Sequence, residues 1–157
     1  MEDLSLHILD IVENSIAAGA KNIEIKITEE KKKDLLTLEI TDDGKGMDEK
    51  TIKKVLDPFF TTGNKRKVGL GLPLLAQSAE ESGGSIKIES EPGKKTKVKA
   101  TFGYSHIDRK PFGNMGETLK VLIAGNPYID FIFEYQKDGV KNRLDTKGFK
   151  NDIIDYK

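Results

Sequence analysis

Four short groups of residues have the types and spacing to do chemistry. Asp10 and Asn14 sit at i and i+4 in a helical stretch, so both side chains project from one face. Asp42-Asp43-Gly44-Lys45-Gly46 directly follows a strand-like segment. Gly69-Leu70-Gly71-Leu72 leads into a second helix and is preceded by Lys65, Arg66 and Lys67, and Lys95-Thr96 enters a later strand. Glycine clusters beside carboxylates and cations suggest phosphate binding, yet the common motifs fail. A P-loop places Lys after its second glycine, where Leu70 stands. A G-x-G-x-x-G run from Gly44 or Gly69 reaches Glu49 or Leu74 instead of glycine.

The elements that must position these groups are legible from periodicity. Leu4 to Gly19 reads as a helix, with Leu4, Ile8, Ile11 and Ser15 along one side, Leu9, Val12 and Ile16 beside them, and Gly19 as the stop. NIEIKIT (22–28) and LLTLEIT (35–41) alternate apolar and polar residues as half-buried strands do, across a charged hairpin loop. A short helix is expected over 48–56, with Asp48 as N-cap and Pro58 after its end. A polar loop over 61–71 precedes a helix from about Leu72 that closes at Gly83-Gly84. Strands follow at 85–90 and 96–102. Hairpin strands with helices between them imply an α+β fold, a two-layer α/β sandwich with helices on one face of a mixed sheet. Residues 1–103 make the main domain, and 104–157 an extension with a helix over 115–124 and a hairpin from 128–136 and 140–145. The hydrophobic strand of that extension could extend the sheet or dock a partner.

Composition bounds the function. The 157 residues hold 26 Lys plus Arg and 26 Asp plus Glu, a balance that argues against a general nucleic-acid binder. The absence of Cys removes disulfides, thiolate zinc sites and cysteine nucleophiles, and two histidines are too few for a His-rich metal site. No apolar run approaches the ~20 residues that span a bilayer, and the acidic N-terminus is no signal peptide. A cytoplasmic protein without nucleic-acid or membrane partners is expected.

Taken together and in this order, the groups resemble the GHKL superfamily of Bergerat-fold ATPases. ENSIAAGA (13–20) looks like its N box, nearest the mismatch-repair branch, whereas DPFFTT (57–62), GLGL (69–72) and EESGGSIKIES (80–90) look like boxes of sensor histidine kinases. The resemblance covers roughly 4–102 and implies ATP and Mg²⁺ as ligands. It makes Asn14 the magnesium ligand, which suits a neutral amide oxygen and a hard cation; the alternative is a structural Asn, although mid-helix Asn has poor propensity. It makes Asp42 the acceptor for the adenine amino group, since an ionised carboxylate accepts only and so prefers adenine's N6 donor to guanine's O6. Gly44 and Gly46 would let the backbone approach the base. Gly69, Leu70, Gly71 and Leu72 would offer helix N-terminal amides to phosphate. Lys65 and Arg66, in the family's ATP lid, would contact phosphate or stand as a solvated charge run. Thr96 would support the adenine pocket. Phe59 and Phe60 either cover the nucleotide or pack beside Pro58, and His7 either orients Asp10 or is a satisfied core histidine.

The departures from the family's pattern decide what kind of member to expect. Hydrolytic members place Glu four residues before the magnesium-binding Asn, as general base; here the candidate catalytic residue is Asp10, one methylene shorter. Ala17 stands where histidine kinases typically have Lys, Lys95 replaces the usual glycine before Thr96, and eight residues between Phe60 and Gly69 make a short lid. No helical domain with a phospho-acceptor His precedes the N box, so a freestanding ATP-binding domain with a protein partner or phospho-acceptor is expected. The leading expectation is a histidine-kinase-type kinase acting in trans, or a nucleotide-dependent regulator. The first alternative is a non-catalytic ATP-sensing module for an enzyme partner; the tail around His106-Ile107-Asp108-Arg109 resembles domains accompanying redox enzymes. The second is a slow ATPase of the mismatch-repair kind.

Overall fold

A computed structural model describes residues 4–56, 68–103 and 115–146. The order of elements is α1 (Leu4–Ala17), β1 (Asn22–Glu30), a 3-10 turn (Lys31–Lys33), β2 (Leu35–Asp42), α2 (Glu49–Val55), α3 (Val68–Glu81), β3 (Ser85–Ser90), β4 (Thr96–Gly103), α4 (Met115–Gly125), β5 (Asp130–Lys137) and β6 (Val140–Asp145). The strands make one mixed six-stranded sheet in the order β3-β4-β2-β1-β5-β6, parallel only between β1 and β5.

Alternation along the strands builds the two faces. On the inner face Ile23, Ile25 and Ile27 of β1 lie beside Leu38 and Ile40 of β2, Val98 and Ala100 of β4 and Phe131 of β5, all buried. They meet the stripe Ile8, Ile11 and Val12 of α1 and Leu72, Leu75 and Ala79 of α3, whose 3–4 residue spacing keeps each set on one side of its helix. Burying each large side chain contributes about 1.5–3 kcal/mol, and this layer is where the fold's stability is concentrated. The outer face is charged: Lys97 bonds Glu39 at 2.9 Å, and Glu134 lies within ion-pair distance of Lys26, Lys141 and Arg143.

The extension's hairpin extends the sheet. β5 pairs with β1 over Asn22–Glu29, and its first amide, on Asp130, donates to Lys21 O at 2.9 Å. The hairpin turns at Asp138-Gly139, both with positive φ, as a two-residue turn requires. Its strand starts at Asp130, two residues later than the alternation predicts, and Tyr128 is left 93% exposed in the connection. A second difference concerns α3, which starts at Val68 and not near Leu72. Gly69 and Gly71 therefore lie inside its first turn, and Pro73 removes the amide that would bond the Gly69 carbonyl. As expected, Asp48 caps α2, accepting from Thr51 N at 2.8 Å. Its carboxyl is held below the usual value chiefly by that backbone hydrogen bond.

Candidate functional site

The site forms where the inner face of the sheet runs out of apolar residues. One cross-strand row reads Ser90, Thr96, Asp42, Ile23, Phe131 from β3 to β5. Its first three members are polar, and Asp42 and Thr96 are each only 7% exposed. A carboxylate facing the core side needs partners, and two donors supply them. Ser15 Oγ of α1 donates to Asp42 Oδ2 at 2.6 Å, and Gly44 N donates to Asp42 Oδ1 at 2.8 Å. Each oxygen keeps a lone pair for a further donor.

The turn after Asp42 is locked on both sides. Lys45 N donates to Ala18 O at 2.9 Å, just beyond α1, and Gly93 N donates to Lys45 O at 2.6 Å. A methyl group at position 44 would lie 2.9 Å from Ala18 Cβ and Ala18 O and 3.0 Å from Asp42 Oδ1. At position 46, where φ is +76°, it would fall 2.0 Å from the Glu91 carbonyl oxygen. Both glycines thus let the turn approach other parts of the chain, a constraint present before any base is bound. Thr96 Oγ1 bonds Ser90 Oγ at 2.7 Å, and Ser90 Oγ accepts from Met47 N at 2.8 Å, fastening the same turn to the sheet.

One residue before Ser15, Asn14 presents a buried Oδ1 that accepts no hydrogen bond among the described residues. An orphaned amide oxygen costs about 1–3 kcal/mol unless something fills its lone pairs. A hard cation does so, and the donor type fits Mg²⁺. Asp10 stands one turn earlier on α1, partly buried and engaged in interactions of its own. Glu13 is exposed, as its position about 100° around the helix requires. His7 is buried, its Nε2 3.2 Å from Ser78 Oγ of α3, a contact that joins two helices.

The backbone amides of Gly69 and Leu70 belong to the first turn of α3, where no intrahelical carbonyl reaches them. The Leu72 side chain is buried in the core. Lys65, Arg66, Phe59, Phe60 and His106 lie outside the described residues.

Sequence reasoning missed Ser15 and Ser90 as site residues and Asp43 as a brace. Ser15 was visible as a hydroxyl on an apolar stripe, and Ser90 as an inward-facing polar residue opposite Thr96. Asp43 Oδ1 accepts from Lys21 N at 2.8 Å and Asn22 N at 2.9 Å, and its Oδ2 from Asn22 Nδ2 at 2.8 Å. Burial pulls its pKa up, but the Asn22 side chain and the Asn22 and Lys21 amides prevail and lower it below 3.8.

A mixed sheet with this polar row beneath α1 defines a nucleotide-binding ATPase domain of GHKL type. The chain belongs to the family described as histidine kinase-, DNA gyrase B-, and HSP90-like ATPase, whose model matches residues 2–106. It is 35% identical over 86 residues to sporulation kinase C of Bacillus subtilis, covering 55% of this chain and 20% of that one. It is 34% identical over 99 residues to the signal transduction histidine-protein kinase ArlS of Staphylococcus aureus, covering 60% and 22%. The chain thus spans about a fifth of these relatives. Among solved structures, the Aquifex aeolicus MutL ATPase domain complexed with ADP aligns with a TM-score of 0.56 and 17% identity, over 88% of this chain and 60% of that one, a likeness of fold. No helix among the described residues is long and apolar enough to cross a membrane.

Proposed function

We propose that this chain binds Mg-ATP and acts in the cytoplasm as a histidine-kinase-type kinase on a separate protein. The observation that carries this reading is the pairing of neighbours on α1: Asn14 with its orphaned Oδ1, and Ser15 bonded to the Asp42 carboxylate. Asp42 would accept from the adenine amino group, and Asn14 Oδ1 would hold Mg²⁺, which neutralises phosphate charge when bound. The first-turn amides of α3, with Lys65 and Arg66, would hold the phosphates, and Thr96 would support the base. Transfer of a phosphoryl group needs mainly positioning and charge neutralisation, which suits a site with no strong general base among the described residues. Asp10 would be the base for any water attack, handicapped by its reach.

A second reading, nucleotide sensing for an enzyme partner, is favoured by one connection. Asp43, next to the adenine carboxylate, grips Lys21, and Lys21 O accepts from the first amide of the extension's sheet strand. Calorimetric titration with ATP and GTP, with and without Mg²⁺, tests the shared part of both readings. Transfer of label from [γ-³²P]ATP to candidate acceptor proteins separates them: no transfer to any acceptor, with ATP binding intact, favours sensing.

A further inference from the structure

Asp42 is held by two donors of unequal kind. Gly44 N is a backbone donor that belongs to the carboxylate's own turn, two residues on. Ser15 Oγ comes from α1, 27 residues away in sequence, and is 3% exposed. Its hydroxyl has a single proton. The Ile11 carbonyl at 3.4 Å is the intrahelical alternative, and Asp42 Oδ2 at 2.6 Å is the better acceptor. Two fixed donors, one on each oxygen, set the plane of the carboxyl group, and with it the direction of the lone pairs left over.

We propose that Ser15 is a positioning residue for base recognition: its hydroxyl orients the Asp42 carboxylate so that the remaining lone pair faces the purine's exocyclic amino group. This rests on the reading of Asp42 as the adenine acceptor. Ser15 sits immediately after Asn14 on the same helix, so one element sets both the base acceptor and the orphaned amide oxygen. Without the hydroxyl, Asp42 keeps its charge and its Gly44 bond but loses the constraint on its second oxygen. The loss falls on the contact with the amino group and not on ribose or phosphate contacts. Ser15 therefore sets selectivity for 6-aminopurines.

The test pairs a variant with a ligand that lacks the group in question. Mg-ATP and Mg-purine riboside triphosphate, which has hydrogen in place of the amino group, are titrated calorimetrically into wild type and Ser15→Ala. Wild type is expected to prefer ATP. Ser15→Ala is expected to lose roughly three- to tenfold in ATP affinity, the scale of one net hydrogen bond, with the analogue's affinity unchanged. If both ligands weaken equally, or neither weakens, Ser15 has no positioning role. A wild type that binds both ligands equally overturns the Asp42 reading itself, and the Ser15 proposal with it. Should Ser15→Ala fail to fold, Ser15→Thr and Ser15→Val, alike in shape, serve in its place. Threonine should keep the preference for ATP and valine lose it, and identical preferences in the two would overturn the proposal.

Discussion

Replacing Asp42 with Asn probes the proposed base site without emptying it. In the wild type both carboxylate oxygens accept, from Ser15 Oγ at 2.6 Å and Gly44 N at 2.8 Å. An amide has one oxygen and one NH₂. Gly44 N can only donate, so the Asn oxygen must turn toward it and the NH₂ toward Ser15. The Ser15 hydroxyl can rotate to accept, so the variant has a satisfied arrangement and should fold. What it loses is charge and half of its acceptor capacity, and the oxygen left is the one already engaged. A hydrogen bond to a charged group contributes about 1.5–3 kcal/mol. ATP affinity should therefore fall roughly ten- to 150-fold. GTP, whose O6 accepts where adenine's N6 donates, should lose nothing and gain relative to ATP. Isothermal calorimetry at saturating Mg²⁺ measures both. Unchanged ATP affinity in a folded Asp42→Asn protein would remove Asp42 from the base site.

Asn14→Ala removes the orphaned Oδ1, so Mg²⁺ should no longer strengthen ATP binding while circular dichroism stays unchanged; titration with and without Mg²⁺ checks it. Gly46→Ala puts a methyl group 2.0 Å from the Glu91 carbonyl at φ +76°, and urea denaturation should show a loss of roughly 1–3 kcal/mol or more. Asp43 has a folded pKa below its unfolded 3.8, so its stabilisation is fully present above that value and fades as pH falls through the folded value. Asp43→Asn should flatten the acid limb of stability against pH below about 4, measured by urea melts across that range. Asp10→Glu lengthens the candidate base by one methylene and should raise ATP hydrolysis by part of the ~10²–10⁴-fold that general-base assistance supplies. Steady-state phosphate release decides, and a folded, ATP-binding variant that hydrolyses no faster shows that reach is not limiting.

Local rules were enough for elements whose pattern and packing agree. NIEIKIT alternates because Ile23, Ile25 and Ile27 line the inner face, and Asp48 reads as an N-cap because its carboxylate meets Thr51 N. The start of α3 was missed because Gly69, Gly71 and Pro73 all have poor helix propensity, yet the helix includes them. The strand of the extension was legible, but its partner was not. Parallel pairing with β1 depends on Ile23 meeting Phe131 from over a hundred residues away. Asn14 and Asp42 could be picked out as candidates because their residue types name a chemistry. Ser15 and Ser90 could not, because a serine's partner depends on which strand or helix lies opposite.

Asp42 and Asp43 show how one strand end serves two purposes. Asp42 continues the alternation of β2 and faces inward, where Ser15 and Gly44 hold it. Asp43 lies just beyond the strand and collects three donors from Lys21 and Asn22 at the start of β1. That start is also where the extension attaches: Asp130 N donates to Lys21 O at 2.9 Å. A displacement of the turn at Asp42 therefore acts on bonds that align β1 with β5. Asp42 takes the hydrogen bonds that shape the candidate base pocket, and Asp43 holds the amide of Lys21, whose carbonyl receives the first strand amide of the extension.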